Sequence, residues 1–81
     1  MPLFNPPYPG ESLREDVLPA ISMTVAGLAN LVGYPQDHLT AVLNGRVPIS
    51  RDLAQRLEAA GLGAARQYLA EQAAYDEWQL R

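Results

Sequence analysis

The stretch that decides the fold is residues 24–46, which read TVAGLANLVGYPQDHLTAVLNGR. Ala29 is followed four residues later by Gly33, and the apolar Leu39 and Val42 lie ten and thirteen residues after Ala29. A small residue lets two short helices cross closely, and a glycine supplies the positive φ that a tight turn needs. The spacing therefore predicts two short helices joined by a tight turn, a helix-turn-helix.

Each of these two helices has one apolar face and one polar face. The apolar residues, which recur at helical spacing, are Leu28, Ala29 and Val32 on the first helix and Leu39, Val42 and Leu43 on the second. The opposite face of the second helix carries Gln36, Asp37, Thr40 and Asn44. In helix-turn-helix proteins this face enters the DNA major groove, so the pattern favours DNA binding.

Prolines, glycines and capping residues divide the rest of the chain. Four of the seven prolines lie in residues 1–9, which predicts an extended, proline-rich arm. The expected helices cover about 10–18, ended by Pro19; 24–33, capped by Thr24; 35–45, ended by Gly45; 50–61, capped by Ser50; and about 64–80. No segment alternates with period two, so residues 10–81 are predicted to form an all-α domain of five helices.

Composition restricts the function classes. The 81 residues include no cysteine and one histidine, so we expect neither a disulfide, nor a metal site, nor a bound cofactor. There is no nucleophile–base pair and no glycine-rich phosphate loop, so we expect no enzyme. The first ten residues lack the features of a signal peptide, and no apolar run reaches membrane-spanning length, which fits a cytoplasmic protein. The net charge is −3, but residues 36–56 carry one positive charge more than negative charges.

Four sequence blocks carry a family resemblance. They are PGESLRED at 9–16, LNGR at 43–46, PISRDLAQRL at 48–57 and QAAYDEWQ at 72–79. With these blocks in order along nearly the whole length, the chain resembles the HigA-type antitoxins of the Xre-like helix-turn-helix family. The resemblance implies a five-helix lambda-repressor-like domain, a homodimer, autorepression of a toxin–antitoxin operon and neutralisation of an mRNA-cleaving toxin.

The candidate DNA-binding residues are Thr24, Gln36, Asp37, His38, Thr40, Asn44 and Arg46. The amide of Gln36 can pair with the N6 and N7 edge of adenine, and Arg46 is expected to contact a phosphate. Asp37 can accept from cytosine N4, or it simply favours the positive N-terminus of its helix. His38 is either solvated or a phosphate contact, and Asn44 alternatively caps its helix.

The last helix carries an aromatic series, Tyr68, Tyr75 and Trp78, at spacings of seven and three residues. An exposed aromatic series would serve dimerisation, whereas a buried one would complete the core of the same chain. The two interpretations are compatible, with Tyr68 in the core and Tyr75 and Trp78 in the dimer, because no later element covers the end of this helix.

Two alternative functions remain open. One is a protein-interaction module that neutralises a basic toxin and has little DNA affinity, because the chain is acidic and its second motif helix has no outward Arg or Lys. The other is a stand-alone regulator of the Xre-like family. The N-terminal arm is either a flexible tail or a contact to a toxin.

Overall fold

The computed structural model describes residues 6–80; residues 1–5 and 81, which include most of the predicted arm, lie outside the described residues. Within 6–80 the chain forms five helices and no strand. The helices are α1 (Pro9–Ala20), α2 (Val25–Val32), α3 (Gln36–Leu43), α4 (Arg51–Ala59) and α5 (Ala65–Gln79). The prediction of an all-α, five-helix fold is confirmed.

Helix α1 differs from its prediction at both ends. It begins at Pro9, which the sequence analysis assigned to the arm, and a proline is well tolerated in a first helical turn. The prediction that Pro19 ends the helix is wrong, because α1 continues to Ala20. A regular α-helix would press the Pro19 ring against the carbonyl four residues earlier, and a π-helical segment, Leu13–Val17, widens the backbone just before it.

The helix-turn-helix forms where the sequence predicts it. Thr24 Oγ1 accepts a hydrogen bond from the backbone N–H of Gly27 at 3.1 Å, which caps α2. Gly33 ends α2 in the left-handed region at φ 68°, a conformation that costs glycine little. Pro35 occupies the N-cap of α3. These local signals explain why both helix boundaries of the turn agree with the sequence.

The end of α3 is a Schellman motif. The N–H of Gly45 donates to the carbonyl of Val42 at 3.1 Å, and the N–H of Arg46 donates to the carbonyl of Ala41 at 2.9 Å. Gly45 has φ 74°, as this motif requires. The backbone N–H of Arg46 is therefore tied to α3 by one hydrogen bond.

All five helices enclose one apolar core. Every inward residue predicted for α2 and α3 is buried there. Its members are Leu13, Leu18, Leu28, Ala29, Val32, Leu39, Val42, Leu43, Ile49, Leu53, Ala54, Leu57 and Tyr68. Each fully buried leucine contributes about 1.5–3 kcal/mol from removal of apolar surface from water, so this core is the main source of stability.

The start of α1 touches the end of α3 backbone to backbone. A Cβ added at Gly10 would lie 2.0 Å from the carbonyl oxygen of Val42, so only glycine fits this crossing. Within residues 6–80 no single helix is long and apolar enough to cross a membrane; α1 and α2, bent by 99°, reach that length and composition only as a pair.

Candidate nucleic-acid interface

Four of the predicted DNA-binding residues meet on one surface. Gln36, Asp37, Thr40 and Arg46 surround a shallow, open depression that Ala41 also lines. Gln36, Asp37 and Arg46 are exposed, and Thr40 is half-buried. Arg46 comes from the loop after α3, and the Schellman motif brings it beside the outer face of the helix.

Local hydrogen bonds define what each polar group offers. Thr40 Oγ1 donates to the carbonyl of Gln36 at 2.9 Å, which leaves the threonine oxygen only as an acceptor toward a ligand. Asp37 Oδ1 accepts from the N–H of His38 at 3.0 Å, in the first turn of α3. This geometry suits the interpretation in which the carboxylate favours the helix N-terminus. In the part of the chain that the structure describes, no hydrogen bond engages the side chains of Gln36 and Arg46.

The other three predicted residues lie outside the depression. Thr24 is exposed at the start of α2, where its hydroxyl caps the helix. His38 is exposed on α3, and its ring meets that of Tyr34 edge-on at a centroid distance of 6.3 Å. Asn44 occupies the C-cap of α3 and is exposed. These three residues belong to the helix-turn-helix but do not line the depression formed by Gln36, Thr40 and Arg46.

Two arginines outside the predicted DNA-binding set, Arg14 and Arg56, bind helix ends. Arg56 Nη1 donates to the carbonyls of Val32 at 3.0 Å and Gly33 at 3.1 Å, at the C-terminus of α2. Its Nε donates to both carboxylate oxygens of Asp52 at 3.1 Å. A guanidinium at this end of a helix satisfies carbonyls that have no partner within the helix. The spacing of Asp52 and Arg56 indicates the ion pair, but no local pattern indicates the contact with α2.

Arg14 binds the C-terminus of α3 in a similar way. Its Nη1 donates to the carbonyl of Leu43 at 3.1 Å and to the hydroxyl of Tyr8 at 3.3 Å. Its Nε donates to Glu15 at 2.8 Å. The pKa of Arg14 is raised, first by the hydrogen bond to Glu15 and then by the one to Tyr8. Arg14 and Arg56 each bind the C-terminus of a helix, and Arg46 is the arginine that lines the depression.

The aromatic residues of α5 divide between two environments. Tyr68 lies in the core, where its hydroxyl donates to the carbonyl of Leu62. For this residue the core interpretation applies. Burial, followed by the negative charge of Glu71, raises the pKa of the Tyr68 hydroxyl.

Tyr75 and Trp78 are half-buried and line a cleft against the segment that precedes α1. The rings of Tyr8 and Tyr75 meet edge-on, with centroids 5.6 Å apart. Pro6, Pro7, Tyr8, Glu11 and Gln79 complete the lining. Among the described residues no later element covers the end of α5, as expected, but an earlier segment, residues 6–8, lies against it. The spacing of the aromatic residues on α5 does not indicate this contact.

The five helices and the α2–α3 turn define a helix-turn-helix domain of the phage-repressor-like class. No family model and no curated protein matches the chain. Among solved structures, a HigA-family addiction-module antidote protein from Coxiella burnetii is 34% identical with a TM-score of 0.82, covering 90% of this chain and 79% of its own. The chain therefore belongs to the HigA family of addiction-module antidote proteins.

Two further structures support the assignment. The antitoxin GraA is 28% identical with a TM-score of 0.89, covering 95% of this chain and 83% of its own. Pseudomonas aeruginosa antitoxin HigA, solved with the higBA promoter, is 25% identical with a TM-score of 0.86, covering 93% of this chain and 82% of its own. The resemblance found in the four sequence blocks is thereby confirmed.

Proposed function

We propose that this chain is the antitoxin of a toxin–antitoxin operon and that it represses the operon by binding operator DNA. The observation that carries the proposal is the group formed by Gln36, Thr40 and Arg46 on the outer side of a helix-turn-helix. The same fold occurs in an antitoxin solved with its promoter. This surface is expected to bind DNA through hydrogen bonds and charge neutralisation, without covalent chemistry.

In this proposal α3 lies in the major groove. Gln36 presents its amide to the N6 and N7 edge of adenine, and Thr40 accepts a hydrogen bond from a base amino group. Arg46 neutralises a phosphate. The DNA backbone also passes near three exposed residues: Thr24 at the start of α2, His38 and Asn44. Asp37 carries a negative charge beside the groove, which disfavours phosphate contact and limits the affinity.

Operator recognition requires a homodimer in this proposal. Two copies present their α3 helices about 34 Å apart, one DNA turn, and bind an inverted repeat. Tyr75 and Trp78 are the candidate dimer contacts, because they are half-buried aromatic residues at the end of α5. The second partner is an mRNA-cleaving toxin, and the place of action is the cytoplasm.

One observation favours the interaction module as a second candidate. Arg14 and Arg56 bind helix carbonyls and pair with Glu15 and Asp52, so part of their positive charge is already offset within the chain. Each phosphate neutralised contributes about −0.9 to the slope of log affinity against log salt concentration. The repressor is therefore expected to bind with a shallow salt dependence.

The experiment is an electrophoretic mobility-shift titration of the full chain on the DNA upstream of its own reading frame, at several salt concentrations. The proposal predicts retardation of this DNA at protein concentrations that leave an unrelated duplex free. Absence of any shift at low salt overturns the repressor and favours the interaction module. Co-expression with an adjoining toxin frame then tests neutralisation separately, through the growth of the host.

A further inference from the structure

The ring of Tyr8 joins the end of α3 to the end of α5. A Cβ added at Gly45 would lie 2.9 Å from Tyr8 Cζ, so the ring lies directly over the glycine backbone. The same ring meets Tyr75 edge-on, with centroids 5.6 Å apart. Tyr8 is in extended backbone at φ −76° and ψ 153°, immediately before α1.

Arg14 completes this junction from α1. One nitrogen, Nη1, donates both to the carbonyl of Leu43 and to the hydroxyl of Tyr8. The positive guanidinium thus lies at the C-terminal end of α3, where the helix dipole favours a cation. Three groups that come before residue 15 therefore contact the last turn of α3 and the loop after it: Gly10, Arg14 and Tyr8.

These contacts are not needed to end α3. The Schellman hydrogen bonds of Gly45 and Arg46 already satisfy the carbonyls of Val42 and Ala41. What Tyr8 and Arg14 add is the placement of this loop relative to α1 and α5. Arg46 directly follows Gly45, so a ring over Gly45 restricts the position from which the Arg46 side chain extends.

We propose that Tyr8 and Arg14 are positioning residues for DNA binding, which hold the loop after α3 so that Arg46 meets a phosphate. The inference rests on the proposed function, because it assigns Arg46 to the DNA backbone. Neither residue contacts DNA in this account. Because Tyr8 also contacts Tyr75, the placement of Arg46 depends on how the end of α5 is packed.

The test is a double-mutant cycle in the full chain, with operator affinity measured at several salt concentrations. Tyr8→Leu and Arg46→Ala are made singly and together. Arg46→Ala is expected to reduce the salt slope by about one unit. Tyr8→Leu is expected to reduce it by a similar amount, and adding Arg46→Ala to Tyr8→Leu is expected to change little further. Salt slopes that fall independently, so that the two effects add, overturn the proposal.

Arg14→Gln provides a second route that does not depend on the Tyr8 variant folding. Arg66→Gln is its matched control, because Arg66 is an exposed arginine on α5 at the same formal charge cost. Arg14→Gln is expected to couple with Arg46→Ala, and Arg66→Gln is expected to be additive with it. Equal coupling for the two variants contradicts the positioning role.

Amide hydrogen exchange separates this inference from the proposed function, because it needs no DNA. Tyr8→Leu is expected to speed exchange at Gly45 and Arg46 while the core amides of α4 stay protected. Unchanged exchange at both amides overturns the inference even if wild-type protein binds its operator. If Tyr8→Leu speeds exchange but the wild-type chain fails to shift its operator, the contact of Tyr8 with this loop is supported and the repressor is overturned.

Discussion

The side-chain Oε1 of Gln72 accepts a hydrogen bond from the backbone N–H of Ile49 at 2.9 Å, although the two residues lie 23 positions apart. Gln72 is only 9% exposed, and its Nε2 donates to Asp76 at 2.9 Å. The loop before α4 is thus fastened to α5 by one amide. This contact joins the block at 48–57 to the block at 72–79 in the folded chain.

Gln72→Ala is expected to lower the free energy of unfolding by about 1–3 kcal/mol, because the buried N–H of Ile49 loses its partner. Gln67→Ala on the same helix is the control. Gln67 is exposed, and its amide lies 3.4 Å from Glu71, so its loss is expected to cost less than about 0.5 kcal/mol. Urea denaturation of both variants measures the difference, and equal losses would contradict the role assigned to Gln72.

Gly10→Ala is expected to destabilise the domain although alanine is the better helix former by about 1 kcal/mol. The added Cβ would lie 2.0 Å from the Val42 carbonyl oxygen, and overpacking of this kind costs about 1–3 kcal/mol or more. Gly61→Ala isolates backbone strain, since Gly61 has φ 78° and open space around it. Thermal unfolding is expected to show the larger loss for Gly10→Ala; a more stable Gly10→Ala protein would refute the close crossing.

Signals within a few residues of sequence predicted the helix-turn-helix correctly. Thr24 caps α2 and Gly33 ends it because each acts on backbone groups no more than a few positions away. The prediction that Pro19 ends α1 was wrong although the structural cause is also local. The steric demand of the proline ring is met by the π-helical turn before it, and no simple sequence pattern marks where such a turn forms.

The sequence predicted the part of the candidate site that depends on contacts between neighbouring residues, but not the part that depends on helix packing. The helical spacing of Gln36 and Thr40 places them on one face, and the Schellman glycine brings Arg46 beside them. The contacts of Arg14 with Leu43 and of Arg56 with Val32 span 29 and 24 positions. They depend on how the helices pack, so an arginine that caps another helix cannot be told from a solvated one by its neighbours in sequence.

Gln36→Ala and Arg46→Ala are expected to affect operator binding in different ways. Loss of the Gln36 amide should weaken the cognate site by about 1–3 kcal/mol and leave non-specific binding nearly unchanged. Loss of Arg46 should weaken all sequences about equally and reduce the salt slope by about one unit. Affinity for operator and random duplexes at several salt concentrations distinguishes them. If Gln36→Ala keeps the full operator preference, α3 does not read bases through this residue.

The stability of the domain is expected to fall above about pH 10. Burial raises the pKa of Tyr68 above its ordinary value of 10.0, so in this range the unfolded chain loses a proton that the folded chain retains. Stability is therefore fully present below the unfolded pKa and is lost as the pH rises toward the folded pKa. Tyr68→Phe should lower the stability at neutral pH, since the bond to Leu62 is gone, but flatten the alkaline loss. Tyr34→Phe, at a half-buried tyrosine, is the control and should keep it.

Trp78→Ala is expected to weaken the homodimer and, with it, binding to an operator with two half-sites. Truncation after Gln67 is a poor test, because it also removes the buried residues Tyr68 and Gln72. Trp78 is only half-buried in the single chain, so its substitution should spare the fold. Separate monomers lose the linked second contact, whose benefit is about 10²–10⁴-fold in affinity. Sedimentation equilibrium of wild type and variant measures the dimer, and circular dichroism controls for folding. A wild-type chain that stays monomeric at high micromolar concentration would contradict the dimer and make Tyr75 and Trp78 candidates for contact with the toxin.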